Sequence, residues 1–296
     1  MSLIQIDYLG ILLMFERDAL VAQLGEPYTN HVIARFNRFA FIRDELLENI
    51  VASALSETWG NDNFVLKYYL AVHVAWSVEQ GNFTHSANQL YVTAGHLQTR
   101  YGTPIYLVFE QNRVNQPPWY LVTAGSQISA PELPVPPEIP EPLIIRPGAE
   151  IVMMHDHILT DHPERIPFLE STPRVAQMCA IAGSIQWSIN RNLQFSYWYY
   201  GKMHYLVPLY LQTREDITHA PDAIAPIQIN ANSLLVRTVL EPHMAYAKAR
   251  VAVKRHDQLP SWLLSAWQQY AEQTSEATLE DPENADGISI ESANAA

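Results

Sequence analysis

Apolar residues recur at spacings of three and four between residues 36 and 58. Phe39, Ile42, Leu46, Ile50 and Ala54 share one helical face, and Arg43, Asp44, Glu45 and Glu48 lie largely off it. The spacing predicts one amphipathic helix there. It predicts another over residues 63–80, with Val65, Tyr69, Val72 and Trp76 as its stripe and His73 beside it as a packed or half-exposed side chain rather than a ligand. The period then changes. Residues 104–110 and 119–123 are short, β-branched and aromatic, and an Asn- and Pro-rich stretch separates them, which predicts two strands and a loop. Six prolines between 131 and 142 can neither donate to a ladder nor sit inside a helix, so an extended strap is expected.

Further on, Glu150–Met154 is predicted as a strand entering a polar segment, residues 155–165. A helix starts near Ser171 or Thr172, with Pro173 at its tolerated first position and Val175, Met178, Ala182, Ile185 and Ile189 as its face. Cys179 falls in this apolar string and reads as a small buried residue rather than a nucleophile. Leu193–Leu211 alternates around Tyr200-Gly201, and Ile224–Ile229 is joined to Leu234–Leu240 through residues 230–233; both pairs read as β-hairpins. Met244–Lys254 and Ser261–Tyr270 are predicted helices. There is no internal repeat and no regular βαβ alternation, so the prediction is an α+β fold. It comprises a mixed antiparallel β-sheet with flanking helices in one compact domain over residues 1–273, followed by a disordered acidic tail over 274–296.

Composition supports a globular chain: 296 residues, 48% hydrophobic and 17% charged, are values that disordered chains do not show. No apolar run approaches the roughly 20 residues a bilayer demands, and one cysteine allows no internal disulfide. A cytoplasmic protein without a membrane partner is expected. The net charge of −13 is concentrated at the end, where Glu272 to Glu291 carries seven carboxylates and no Lys or Arg. Strong nonspecific DNA binding is therefore not expected, since phosphate neutralisation needs a basic face, although a local basic cleft is compatible with this charge.

No GxGxxG, GxxxxGK[ST], GxSxG or HExxH pattern occurs, so no cofactor is expected. Three clusters carry candidate chemistry. His155 and His157, with Asp161, His162 and Glu164 following, would face one side of a strand and could share a metal; the plain alternative is a polar loop. Arg191, Asn192, Tyr197, Tyr199, Tyr200, Lys202, His204 and Tyr205 mix cations with aromatics, as base stacking and phosphate contact require; the alternative is an amphipathic sheet whose aromatics are core. Tyr246, Arg250 and Lys254 fall at i, i+4 and i+8, presenting a phenol and two cations on one helical face.

In this order, several stretches resemble a bacterial family known as domain of unknown function 3825. They are Pro104–Glu110, Asp156–Leu159 with Glu164–Pro167, Asn192, Tyr199–Lys202, Leu206–Leu209, Thr238–Leu240, Met244–Tyr246, Ala249-Arg250 and Trp262-Leu263. The family's Asn-Thr-Gly-Leu element stands here as the divergent Thr93-Ala-Gly-His-Leu97. The resemblance brings no established activity. It implies RNA metabolism, because family members often occur beside cold-shock or other RNA-binding modules. It also singles out His157, Arg165, Asn192, Lys202, Tyr246 and Arg250. Three permanent cations and an imidazole without a matching carboxylate cluster suit an anion better than a metal.

The expectation is a domain that binds a nucleotide or RNA phosphate through Arg165, Asn192, Tyr246 and Arg250. It extends to a phosphoester step in which His157 is the general acid/base and Lys202, Arg165 and Arg250 stabilise charge. Two alternatives remain open: a noncatalytic protein- or RNA-interaction module, and a metal-dependent hydrolase using His155 and His157.

Overall fold

The computed structural model describes residues 8–25, 32–113 and 116–280. The fold is α+β. The chain divides into two compact units, residues 1–138 and 139–296, each with its own five-stranded mixed sheet. The division falls inside the proline-rich strap. No helix among the described residues is long and apolar enough to cross a membrane.

The first unit opens with helices α1 (Tyr8–Leu24), α2 (Val32–Phe39), α3 (Asp44–Ser53) and α4 (Phe64–Gln80). The single helix expected over residues 36–58 is thus two helices. Ala40 and Phe41 leave the first as a two-residue strand, β1, which pairs in parallel with Trp119 and Tyr120 of β5 (Trp119–Gly125). A helical apolar period cannot report this break, because the sheet partner lies about 80 residues downstream. Helix α4 is buried nearly all round, with Val65, Tyr69, Val72 and Trp76 joined by a fully buried His73. It ends in a left-handed Gly81, and Asn82 N donates to Ser77 O at 2.7 Å.

The chain then forms β2 (Thr84–Ser86), β3 (Gln89–Gln98) and β4 (Pro104–Gln111), giving the order β1-β5-β4-β3-β2. Strands β2 and β3 had no counterpart in the sequence reading. The segment Leu90 to Ala94 is buried on both faces, so it lacks the alternation that marks a half-exposed strand. Gly95 interrupts β3 at a register shift with φ +58°. A Cβ there would lie 2.6 Å from His73 Cγ and 2.7 Å from Tyr69 Oη, so only glycine admits the α4 side chains to the strand. The strap runs along this unit. Thr84 Oγ1 donates to Glu132 O (2.9 Å), His96 Nε2 lies 2.9 Å from Pro137 O, and Gln80 exchanges two bonds with the Glu138 backbone (2.8 and 2.7 Å). Polar side chains thus supply partners for backbone groups of the strap that make no ladder.

The second unit contains β6 (Glu150–Met153), helix α5 (Arg174–Ile189), β7 (Phe195–Tyr199), β8 (Lys202–Leu209), β9 (Ala223–Ile229), β10 (Ser233–Val236), helix α6 (Tyr246–Val251) and helix α7 (Ser261–Glu280). The strand order is β6-β10-β9-β8-β7, with β6 parallel to β10 and the other pairs antiparallel. Both hairpins form as expected. Tyr200 and Gly201 take φ of 51° and 72°, the left-handed pair that a tight two-residue turn requires. One face of the sheet packs Val207, Leu209, Ala225, Ile227, Leu234 and Val236 against Ile181 and Ile185 of α5.

Helix α5 is rotated relative to its expected face. Val175 is 71% exposed and Cys179 is exposed, while Ser184 and Ser188 are fully buried. Ser184 Oγ donates to Tyr210 O (3.1 Å) and accepts from Tyr210 N (2.8 Å), and Ser188 Oγ donates to Pro208 O (2.6 Å). Counting only apolar residues missed this face, because satisfied hydroxyls bury as readily as methyls. Helix α7 runs through Glu280, so residues 274–280 of the expected tail are helical; residues 281–296 lie outside the described residues.

Candidate functional site

The face of the second sheet opposite α5 carries a concavity. Its geometry follows from strand alternation. Tyr197 faces His204 across β7 and β8, Tyr205 faces Ile227, and Gln228 faces Leu235. Tyr197, His204, Gln228 and Leu235 therefore form a row across four strands, all on one side of the sheet. Tyr199 continues β7 on that side. Pro226, Arg237, Thr238 and Leu240 complete the floor, and Lys248 of α6 leans over from above.

Lys248 Nζ sits 4.6 Å above the Tyr199 ring, and the Tyr199 ring stacks on Tyr197 with centroids 6.2 Å apart. Burial lowers the Lys248 pKa from 10.5 to about 8. Burial also raises both phenols, Tyr197 strongly, so each remains a neutral hydroxyl donor at ordinary pH. His204 is pushed down by burial and by the nearby Lys202 charge, which keeps its ring neutral at pH 7. Arg237 is exposed, and its guanidinium donates to Gln228 Oε1 at 3.5 Å. None of the described lining residues is Asp or Glu. In a chain of net charge −13, a concavity lined by Lys248, Arg237, an imidazole and two phenols, with no acid among its described lining residues, is a local reversal of sign.

Of the six residues singled out from the sequence, the structure leaves each outside this lining. Arg165 comes nearest. It is buried beneath the floor, and its Nη1 donates to Thr238 Oγ1 (2.8 Å) and Val239 O (2.9 Å). Its Nε is 3.8 Å from Glu164 Oε1. Burial lowers the Arg165 pKa, and Glu164 and Glu241 oppose that shift. Lys202 lies at the rim, exposed, facing Tyr199 across the hairpin. Asn192 is exposed at the end of α5, where φ of 55° lets it turn the chain while Leu193 N donates to Ser188 O (3.1 Å).

Tyr246 and Arg250 do share a face of α6, as their spacing predicted. That face turns inward. Tyr246 stacks on Trp267 of α7 with ring centroids 5.0 Å apart, and Arg250 is 1% exposed with Nη1 donating to Val253 O (3.1 Å). Lys248, two residues from each, projects the opposite way into the concavity. The i, i+4 pattern selected the packed side of the helix, and the single cation between it carried the signal. Arg250→Ala is accordingly expected to cost about 2–4 kcal/mol of stability, since it empties a buried site and strands a carbonyl. Urea unfolding measures this, and a change below roughly 0.5 kcal/mol would rule the packing role out.

His157 lies in a π-type turn, His157–Asp161, that follows β6. Its Nδ1 is 3.0 Å from Asp161 Oδ2, and its ring meets His162 edge-on at 4.9 Å. His162 Nδ1 in turn lies 3.1 Å from Glu164 Oε1. His155 falls in the same helical turn and not on a strand, so it does not share a strand face with His157. Among the described residues, no three His, Cys, Asp or Glu side chains converge as metal ligands.

The two mixed sheets with their flanking helices place the chain among α+β proteins. A family model, Domain of unknown function (DUF3825), matches residues 50–262, most of the chain, and the protein belongs to that family. No curated protein and no solved structure matches it.

Proposed function

We propose that the protein binds the phosphate of a nucleotide or of RNA in the concavity on the second sheet. The observation that supports this most directly is the lining itself: Lys248 and Arg237 supply charge, neutral His204 and the tyrosine hydroxyls supply hydrogen bonds, and no described carboxylate competes. A phosphate would offset the desolvation that burial imposes on Lys248. The reading is one of binding, with a role in RNA metabolism as its biological setting. His157 and Lys202, for which the sequence raises the expectation of acid–base and charge-stabilising roles, stand outside the lining, so no phosphoester step is assigned to them.

Titration calorimetry with inorganic phosphate, mononucleotides and short RNA at low and moderate salt tests the reading. Wild type is expected to bind at low salt and to weaken as salt rises. Arg237→Ala removes an exposed side chain, so the fold persists. Loss of one charged hydrogen bond, about 1.5 kcal/mol, weakens binding roughly tenfold. No binding by wild type at low salt, or equal binding by the variant, would remove the proposal.

A further inference from the structure

The concavity does not end at its own rim. Leu235 faces Val152 across β10 and β6, so the row Tyr197–His204–Gln228–Leu235 continues to the edge strand. The neighbouring positions Arg237 and Met154 extend a second row beside it: Val236 pairs with Met153, and Met154 N donates to Val236 O at 2.9 Å. Burial differs sharply along these rows. Tyr197 and His204 are buried at the β7–β8 end, Gln228 and Leu235 are half-buried, and Val152 and Met154 are 41% and 45% exposed. An apolar track thus leads out of the basic pocket across β10 and β6. Glu150, exposed and paired with Ser233, sits on the row beyond Leu235 and bounds the track on that side.

Resting on the phosphate-binding reading above, we infer that this face takes a single-stranded polynucleotide laid across the strands, and not a free mononucleotide. Five strands at about 4.8 Å spacing place β7 and β6 roughly 19 Å apart, far more than one nucleotide covers. Cations lie at Lys202, Lys248 and Arg237 around the Tyr199 ring, and the apolar side chains of Leu235, Val152 and Met154 lie beyond them toward β6. A cationic end that leads into an apolar track matches a chain that carries both phosphates and flat, apolar-faced bases. An acidic peptide would answer the cations and leave the Leu235–Val152–Met154 track uncovered. The sheet edge leaves the track open at β6, so a chain can run off the protein without a closed end.

Fluorescence anisotropy on the full chain decides this. The probes are oligo(rU) and oligo(dT) of one, two, four and eight nucleotides, with tripolyphosphate and poly-glutamate as competitors. The tetranucleotide is expected to bind at least tenfold tighter than the mononucleotide, with little gain beyond roughly four to eight nucleotides. The plot of log affinity against log salt should have a slope of about −2, for three cations on a single strand. Binding of either sugar series supports the inference, and the tighter one names the polymer. Val152→Glu and Met154→Glu change exposed side chains, so melting curves stay near wild type, and each cuts tetranucleotide affinity tenfold or more. Equal affinity for mononucleotide and tetranucleotide would overturn the extended site while leaving the phosphate pocket standing. Absence of binding by both would overturn the pocket itself. Displacement by tripolyphosphate or poly-glutamate as effective as by the tetranucleotide would also overturn the extended site, since charge alone would then account for binding.

Discussion

Lys248→Met is expected to weaken phosphate and nucleotide binding at least tenfold and, in the same protein, to raise thermal stability. The two effects share one cause. Burial has brought the ammonium from 10.5 to about 8, so folding with a charged Lys248 carries a desolvation cost. The full shift corresponds to about 3 kcal/mol, and partial exposure together with the ring of Tyr199 beneath the ammonium reduces it to about 1–2 kcal/mol. Methionine fills the same volume without that cost.

The sign of the pH dependence follows. Between about pH 8 and 10.5 the unfolded chain holds a proton on this lysine that the folded chain has lost. Stability therefore rises with pH across that window, and below about 8 the whole cost is present. Binding runs the other way. An anion needs the ammonium charged, so wild-type affinity falls as pH rises through about 8. The other titrating groups of the lining do not imitate this: His204 is already neutral and both tyrosines titrate higher. Calorimetric titrations at pH 7 and 9.5, with melting curves for both proteins, measure each half. A Met variant that melts lower, or that binds as well as wild type at pH 7, would contradict the role given to Lys248.

Gly95→Ala is expected to destabilise the first unit by about 2–4 kcal/mol. A left-handed φ costs an L-residue about 1–2 kcal/mol, and the new methyl would fall 2.6 Å from the His73 ring and 2.7 Å from the Tyr69 hydroxyl. Neither neighbour has room to yield. The rings of Tyr69 and His73 stack at 4.0 Å, His73 meets Trp76 and His96 edge-on, and the Tyr69 hydroxyl accepts from His96 N at 2.8 Å. Gly102 separates the two contributions. Its φ is +75°, yet nothing lies within 4 Å of a Cβ there, so Gly102→Ala meets only the backbone cost of about 1–2 kcal/mol. Equal losses for the two variants in urea unfolding would show that close packing at Gly95 contributes nothing.

Much of the molecule was legible from local pattern. The segment over residues 63–80 was legible as a helix, although it is buried nearly all round and not along one stripe, and the hairpin turns at Tyr200-Gly201 and residues 230–233 were marked by turn chemistry. The proline strap declared itself by what proline cannot do. The exceptions share a physical feature. β1 broke a helix because a distant strand offered hydrogen bonds, β3 was silent because both its faces are buried, and α5 turned because two serines found backbone partners at Pro208 in β8 and at Tyr210 just after it.

What the sequence determined by itself was therefore the local grammar: which segments extend, which coil, where the chain must turn, and that Tyr197, Tyr199, Lys202 and His204 belong to one aromatic and cationic hairpin. Those choices depend on residues within a few positions of one another, so they are written in spacing. Only the tertiary structure decided which side of each element meets solvent. The Tyr246–Arg250 face of α6 went to the Trp267 ring, Lys248 was left over the tyrosines, and Arg165 was drawn under Thr238. Those outcomes are set by partners 20 to 75 residues away, and no periodicity along a single helix distinguishes a face that packs from a face that waits for a ligand.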